Sequence, residues 1–135
     1  MAESRVALIV GASSGMGRAT AKAYAEAGIR VGLAARSETE LEKLAAEIGN
    51  GALACPCDVI DPATVDRAVA QTLDAFDAID ILVYATGTNI PDRSLEVLKG
   101  ETWEMMMATN LSGAFYATKA VLPHMRKRKS GLIIY

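Results

Sequence analysis

Cysteine, histidine and aromatic residues are scarce in this chain of 135 residues. It contains two cysteines and one histidine, and aromatic side chains make up 5% of it. A disulfide framework is thereby excluded, and so few of the usual ligands argue against a zinc site or any other metal site. Cys55 and Cys57 flank Pro56. In an extended backbone their side chains point the same way but lie too far apart for an unstrained disulfide, so we predict two small, buried thiols.

The sequence also lacks a strong charge of either sign and a long apolar run. Its net charge is -2, so no basic field favours nucleic acid as a partner. No stretch approaches the roughly 18 apolar residues that a membrane span requires, and the apolar run after residues 2–5 is too short for a secretory signal. These absences predict a cytoplasmic protein that binds neither nucleic acid nor membrane.

The remaining composition is typical of a single globular domain. Hydrophobic residues make up 51% of the chain and charged residues 22%, which is enough to build one core. Repeats, low-complexity tracts and linkers are absent, so residues 1–135 are predicted to form one domain without an internal boundary.

Short apolar runs alternate with helical patterns along the chain. The predicted strands cover residues 6–10, 31–35, 52–57, 79–84 and 133–135. The predicted helices cover residues 15–27, 37–48, 61–76 and 101–125. Pro56 cannot donate a ladder hydrogen bond, which indicates an edge position for the third strand.

Local signals mark several helix ends. Residues 37–40, Ser-Glu-Thr-Glu, form a capping box, and Asp61-Pro62 combines a side-chain cap with a proline at the first helical position. Gly28 and Gly49 are suited to end the first two helices, with Gly28 as a left-handed cap.

The order of elements predicts the fold class. Strand and helix alternate four times, which implies right-handed crossovers and a parallel sheet with helices on both faces. This is a doubly wound α/β fold. Ligands of such sheets bind beyond the carboxyl ends of the strands, where the strand order reverses, and the loop after the first strand lies at that place.

That loop reads GASSGMG from residue 11 to residue 17. Gly11 allows the tight exit from the strand, Gly15 leaves room for a diphosphate, and Gly17 lets the helix pack close to the sheet. The helix N-terminus offers unpaired N–H groups and the positive end of its dipole to an anion. A plain strand-to-helix turn is the alternative. The residues predicted to bind the ligand here are Gly11, Ser13, Ser14, Gly15, Met16 and Gly17.

The spacing G-x-x-x-G-x-G resembles the first turn of the short-chain dehydrogenase/reductase family. "CDV" at residues 57–59 is similar to its adenine-contacting segment, and "ILVYATG" at 81–87 lies where the family has Asn-Asn-Ala-Gly. "TWEMMMATNLSGAFYATKAVLPHM" at 102–125 resembles the helix that carries its catalytic asparagine. The resemblance covers nearly the whole chain. It implies a Rossmann fold, truncated here after the fifth strand, in a homo-oligomeric oxidoreductase that moves a hydride between a nicotinamide cofactor and a small alcohol or carbonyl substrate.

The resemblance also implies roles for single residues. Asn110 is the catalytic residue that maps onto this chain, where it helps to hold a water in the proton relay. Asp58 is implied to accept a hydrogen bond from the adenine amino group, although capping local backbone is the alternative. Tyr84 and Ala85 replace both asparagines of the family motif, so we expect the side-chain tie to the neighbouring strand to be lost. The other residues implied to bind cofactor are Val59, Ala85, Thr86 and Gly87.

The choice of cofactor depends on the end of the second strand. A carboxylate there suits the ribose hydroxyl of NAD, whereas a guanidinium suits the extra phosphate of NADP. Arg36 occupies this position, and no acidic residue precedes it at Leu33, Ala34 or Ala35, which favours NADP. Many NADP-preferring relatives carry a basic residue where this chain has Ser14, so NAD remains the alternative.

The family's proton donor is a tyrosine followed four residues later by a lysine, and its serine follows the fifth strand. Tyr116 and Lys119 are three residues apart and precede that strand, so we reject them as this pair. The serine, tyrosine and lysine are expected beyond Tyr135, which would leave the 135-residue chain inactive alone. A noncatalytic dinucleotide-binding module is the alternative function. A methyltransferase-like enzyme is a weaker one, because Arg36 stands where that class has an acidic residue.

The last predicted helix carries three further features. Trp103 and the methionines at 105–107 are interpreted as packing residues, and the resemblance adds that this helix often builds an oligomer interface. The cations at 126–129 suit a helix C-terminus, with phosphate binding as the alternative. His124 is predicted to lie on the surface.

Overall fold

A computed structural model describes residues 4–49 and 51–135. Residues 1–3, which include part of the segment at 2–5 that precedes the first apolar run, and residue 50 lie outside the described part. The strands are β1 (Val6–Val10), β2 (Arg30–Ala34), β3 (Ala52–Ala54), β4 (Ile81–Tyr84) and β5 (Leu132–Ile134). The helices are α1 (Gly15–Glu26), α2 (Glu38–Ile48), α3 (Pro62–Phe76), α4 (Gly100–Met107) and α5 (Gly113–Arg128), with a π-helical turn at Ala108–Ser112 between α4 and α5.

The five strands form one parallel sheet in the order β3-β2-β1-β4-β5. The chain moves outward from β1 to β3 and then returns to the other side of β1 with β4. The strand order therefore reverses between β1 and β4, where Ala7 pairs with Ile81. The doubly wound α/β fold predicted from the alternation of elements is confirmed.

β1 is buried on both faces, as its continuous apolar sequence predicts. Ala7 and Ile9 belong to the core on the side of α1 and α2, whereas Leu8 and Val10 belong to the core on the side of α3 and α5. Leu8, Ile9 and Val10 each contribute roughly 1.5–3 kcal/mol when fully buried, and the smaller Ala7 contributes less. The two cores thus pack on both faces of the sheet, beneath the loops at its carboxyl edge.

The predicted helix caps form, with one exception. Ser37 Oγ accepts a hydrogen bond from the Glu40 N–H at 3.4 Å, but the Glu40 carboxylate pairs with Lys43 instead of completing the box. Asp61 Oδ1 accepts from the Ala63 N–H at 3.1 Å ahead of α3. Gly28 has a φ of +82° and follows α1 in the left-handed region, as predicted.

The third strand is shorter than predicted and ends at Ala54. Beyond it, the Cys55 N–H donates to the Leu33 carbonyl at 2.8 Å and the Cys57 N–H donates to the Ala35 carbonyl at 2.9 Å. The nitrogen of Pro56 between them points away from β2, which is possible because β3 is at the edge of the sheet. The edge position is confirmed, and both cysteines are free and buried.

The last predicted helix is not continuous. A π-helical turn interrupts it after Met107, and the helix resumes at Gly113 and continues to Arg128. Its basic end is anchored, because the Arg128 guanidinium lies 2.9 Å from Asp80 Oδ1, and the other Asp80 oxygen accepts from the Val6 N–H at 2.8 Å. The surface position predicted for His124 is wrong in part. Its ring is partly buried, and Nε2 accepts a hydrogen bond from the Ile79 N–H at 3.2 Å.

Large apolar side chains remain exposed along one segment, which we call the α4–α5 face. Its members and their exposed fractions are Trp103 at 51%, Leu111 at 59%, Phe115 at 58% and Leu122 at 39%. The packing predicted for Trp103 and its neighbouring methionines is therefore incomplete, since α4 buries none of its residues fully. No helix in the described ranges has both the length and the apolarity to cross a bilayer.

Candidate functional site

A cleft of about 740 Å³ lies over the carboxyl ends of β1, β2 and β4, at the reversal of strand order. Most residues predicted to bind a ligand line it, although they come from four separate loops. Those residues are Gly11, Ser13, Ser14, Gly15, Met16, Arg36, Asp58, Val59, Ala85, Thr86 and Gly87.

Gly11 forms the floor of the cleft and satisfies two constraints that only glycine meets. Its φ is +93°, and a Cβ there would lie 2.8 Å from the Ala85 carbonyl carbon and 2.8 Å from the Thr86 nitrogen. Its N–H donates to the Ala34 carbonyl at 2.7 Å. One residue therefore joins the ends of β1, β2 and β4.

Gly15 and Gly17 differ in what surrounds them. Gly15 has a φ of +53°, and a Cβ there would meet nothing within 4 Å, so this position opens into the cleft. A Cβ at Gly17 would overlap the carbonyl of Gly11. Gly17 lets α1 pack against its own preceding loop at the end of β1, and it does not line the cleft itself.

The N-terminus of α1 faces the cleft without a side-chain cap. Ser14 is the N-cap residue with an extended backbone, its side chain makes no capping hydrogen bond, and the first turn contains no acidic residue. By contrast, Ser37 and Asp61 cap α2 and α3. The first N–H groups of α1 are thus available to an anion, with the positive end of the helix dipole behind them.

Arg36 and Asp58 stand at the outer end of the cleft. Arg36 is exposed directly after β2 and forms no ion pair within the described residues. Asp58 Oδ1 accepts from the Ile60 N–H at 3.2 Å, which is the backbone-capping role left open above. Thr64 fixes this turn, because its Oγ1 accepts from the Asp58 N–H at 2.9 Å and donates to the Asp58 carbonyl at 2.8 Å.

Asn110 lies in the π-helical turn and holds the loop that follows β4. Its Oδ1 accepts from the Thr88 N–H at 2.7 Å, and its Nδ2 donates to the Thr88 carbonyl at 2.9 Å. Asn110 does not line the cleft, but its neighbour Thr109 does. The asparagine side chain therefore fixes the wall of the cleft from behind.

Tyr84 forms a hydrogen bond to the π-helical turn that the sequence did not predict. Its buried hydroxyl donates to the Thr109 carbonyl at 2.5 Å, so the last residue of β4 is joined to the π-helical turn instead of a neighbouring strand. Burial raises the pKa of Tyr84 to about 12, with the Cys57 thiol as a further cause, so the phenol stays a neutral donor.

Sequence reasoning missed several residues of the cleft. Five of them are neighbours in sequence of predicted residues, and this adjacency could have indicated them. They are Ala35, Ser37, Cys57, Ile60 and Thr88. Met105 and Thr109 come from α4 and the π-helical turn, and only the tertiary fold brings them here. Burial, together with the neighbouring Cys55, raises the pKa of Cys57 to about 11, so its thiol is inert in the wall.

The rejected pair lies elsewhere. Tyr116 packs against the core on the α3–α5 side, and Lys119 Nζ lies 5.8 Å from the centre of the Phe115 ring. Neither residue lines the cleft. Within the described residues, no cluster of three or more histidine, cysteine or acidic side chains is arranged to bind a metal.

The sequence model of the short chain dehydrogenase family matches residues 5–135. The chain belongs to this family. Among the relatives of this chain is a 3-oxoacyl-(acyl-carrier-protein) reductase of Synechocystis, 42% identical over 135 residues, with 97% of this chain and 54% of the relative covered. The chain spans about half the length of the curated relatives it matches.

Solved structures show the same fold. The 3-ketoacyl-(acyl-carrier-protein) reductase of Brucella melitensis, complexed with NADH, superposes with a TM-score of 0.87 at 35% identity, covering 92% of this chain and 51% of that one. A 3-ketoacyl-ACP reductase of Sinorhizobium meliloti 1021 gives a TM-score of 0.90 at 39% identity, covering 95% and 51%. These values extend the likeness from the motifs to the whole arrangement of strands and helices.

Proposed function

We propose that this chain is the coenzyme-binding part of an NADP-dependent short-chain dehydrogenase/reductase. The observation that carries the proposal is the cleft at the reversal of strand order, walled by a glycine loop and an uncapped helix N-terminus. The relative from Brucella melitensis, whose structure contains NADH, supports a nicotinamide coenzyme as the ligand. When bound, that coenzyme supplies or accepts the hydride that an alcohol or carbonyl substrate exchanges.

The residues of the cleft fit a dinucleotide. The first N–H groups of α1 and the hydroxyls of Ser13 and Ser14 would bind the diphosphate, since Gly15 leaves that space open. Asp58 and Val59 would face the adenine. The backbone from Ala85 to Gly87 would lie along the other half of the coenzyme.

Arg36 supports NADP over NAD. An exposed guanidinium at the end of β2, without an ion-pair partner in the described ranges, suits the 2′-phosphate as a bidentate donor. Ser37 lies beside it in the cleft and adds a hydroxyl. NAD is the alternative, supported by the NADH in the relative's structure.

Turnover requires groups that the 135 residues do not contain. No tyrosine in this sequence is followed four residues later by a lysine. On this proposal the chain alone binds coenzyme without oxidising or reducing it, and Asn110 contributes by holding the loop at Thr88. A noncatalytic dinucleotide-binding module is the second candidate, and it would use the same cleft. A small-molecule substrate, a homo-oligomer and a cytoplasmic location complete the proposal and rest on family resemblance and composition.

Titration with NADPH and NADH tests the proposal, and the glycines at the start of α1 and just after its end provide a matched pair of variants. Gly15 and Gly28 both have positive φ angles, of 53° and 82°, and a Cβ at either would meet nothing within 4 Å. Alanine therefore introduces similar backbone strain at each, about 1–2 kcal/mol. Only Gly15→Ala places a methyl group in the cleft.

We expect the wild-type protein to bind NADPH more tightly than NADH. Gly15→Ala should raise the Kd for NADPH by about tenfold or more, which is a loss of at least about 1.4 kcal/mol of binding free energy. Gly28→Ala should leave this Kd nearly unchanged. A folded wild-type protein that binds neither coenzyme would refute the proposal. Equal loss of binding in both variants would contradict the proposal that the diphosphate binds at the N-terminus of α1.

A further inference from the structure

Tyr84 is the last residue of β4, and its side chain lies in the core on the α3–α5 side of the sheet. The side chain is 6% exposed. Its hydroxyl donates to the Thr109 carbonyl at 2.5 Å. A large, polar-tipped residue therefore sits where the ordinary pattern of a buried strand requires only an aliphatic one.

The surroundings of the Tyr84 hydroxyl are built to admit it. A Cβ at Gly113 would overlap this hydroxyl and would lie 2.9 Å from Val59 Cβ. The space above Gly113 is thus occupied by the phenol, and Val59, a residue of the cleft, borders it. Tyr84 and Gly113 are complementary in size across β4 and the start of α5.

The acceptor belongs to the turn that walls the cleft. Backbone hydrogen bonds in a π-helical turn shift to i→i+5, as between the Gly113 N–H and the Ala108 carbonyl, and the Tyr84 hydroxyl gives the Thr109 carbonyl a donor from outside the helix. Thr109 lines the cleft, and the next residue, Asn110, makes two hydrogen bonds to Thr88. The segment from Tyr84 to Thr88 is therefore tied to the π-helical turn at both of its ends.

We propose that Tyr84 is a positioning residue for coenzyme binding: its hydroxyl, acting on the Thr109 carbonyl, fixes the wall formed by Ala85–Thr88 and the π-helical turn. This inference rests on the proposed function, because it assigns the wall to the coenzyme. The residue does not line the cleft and acts only through Thr109. Asn110 fixes the far end of the same wall, and Tyr84 fixes the end next to the sheet.

The test compares Tyr84→Phe with Thr72→Val. Each change removes one buried hydroxyl and keeps the shape of the side chain. Thr72 is 0% exposed, its Oγ1 donates to the Ala68 carbonyl at 2.9 Å, and it lies outside the cleft. Both variants are expected to lose stability in urea unfolding, because each leaves a buried carbonyl with one partner fewer.

Coenzyme binding separates the two variants. We expect Tyr84→Phe to raise the Kd for NADPH by about fivefold to thirtyfold and to reduce the fluorescence gained per bound NADPH, since the wall loosens. Thr72→Val should leave both quantities at the wild-type value. Unchanged binding and fluorescence in Tyr84→Phe, with a wild-type protein that binds, would overturn the role of Tyr84. Equal weakening of NADPH binding in both variants would also overturn the role of Tyr84. Failure of the wild-type protein to bind NADPH would instead refute the proposed function.

Discussion

Arg36 lies exposed at the end of β2, where its guanidinium can reach the mouth of the cleft. We predict that Arg36→Asp shifts preference from NADPH towards NADH. The aspartate repels a 2′-phosphate but can accept hydrogen bonds from a ribose 2′-hydroxyl. Loss of a charge-assisted pair changes relative affinity by about 1.5–3 kcal/mol, and the ratio of the two dissociation constants is the measurement.

Arg67→Asp is the control for this experiment, because it makes the same change of charge on the exposed part of α3. It should leave the ratio of dissociation constants unaltered. A ratio that stays constant in Arg36→Asp, or moves equally in both variants, would take Arg36 out of the binding site.

His124 connects two elements, because its Nε2 accepts the Ile79 N–H just before β4 while its backbone belongs to α5. Only the unprotonated nitrogen accepts this bond. Burial lowers the pKa of His124, and the nearby Arg128 and Lys127 act in the same direction while Asp80 opposes them. The unfolded chain therefore binds a proton more readily than the folded chain just below about pH 6.5.

The sign of this linkage gives a prediction. The contribution of His124 to stability is complete above about pH 6.5 and is lost as the pH falls towards its lowered folded value. The free energy of unfolding should therefore decrease more steeply from about pH 7 to about pH 5 in the wild-type protein than in His124→Gln, which keeps an acceptor but does not titrate. Urea unfolding at each pH is the measurement, and parallel slopes in the two proteins would contradict the assigned role.

Helices and strands were predictable where local residues decide them. Ser37, Asp61 and Gly28 end or begin helices through their own side chain or backbone, and each does so in the structure. The π-helical turn was not predictable, because its partners, Tyr84 and Thr88, come from another element. The same reason hid Met105 and Thr109 from the list of cleft residues.

The parallel sheet with helices on both faces could be predicted from the alternation of elements, because right-handed crossovers leave few arrangements of such a sheet. That arrangement brings Gly11, Arg36, Asp58 and Thr86 to one edge although 75 positions separate the first from the last. Motif spacing therefore located most of the candidate site. The spacing could not predict which of these residues pack behind the cleft instead of lining it. Gly17 packs against the carbonyl of Gly11, and Asn110 hydrogen-bonds to Thr88 from outside the cleft.

The surface of the whole molecule leads to a prediction about association. The α4–α5 face exposes Trp103, Leu111, Phe115 and Leu122, and β5 is an edge strand with Leu132 52% exposed. Apolar faces and open sheet edges of this kind favour association, and burying one large apolar side chain contributes about 1.5–3 kcal/mol. We expect the 135-residue chain to sediment as a dimer or larger species, and Phe115→Glu to shift it towards monomer.

Ala23→Glu is the control for this shift. Ala23 is exposed on α1, which packs on the opposite side of the sheet from α5, so the same added charge there should leave the distribution of species unchanged. If association persists in Phe115→Glu, the contact lies at the β5 edge. A charged residue in place of Ile134, which is 37% exposed, should then shift the chain towards monomer. A wild-type chain that sediments as a single stable monomer across a range of concentrations would show that neither surface drives association.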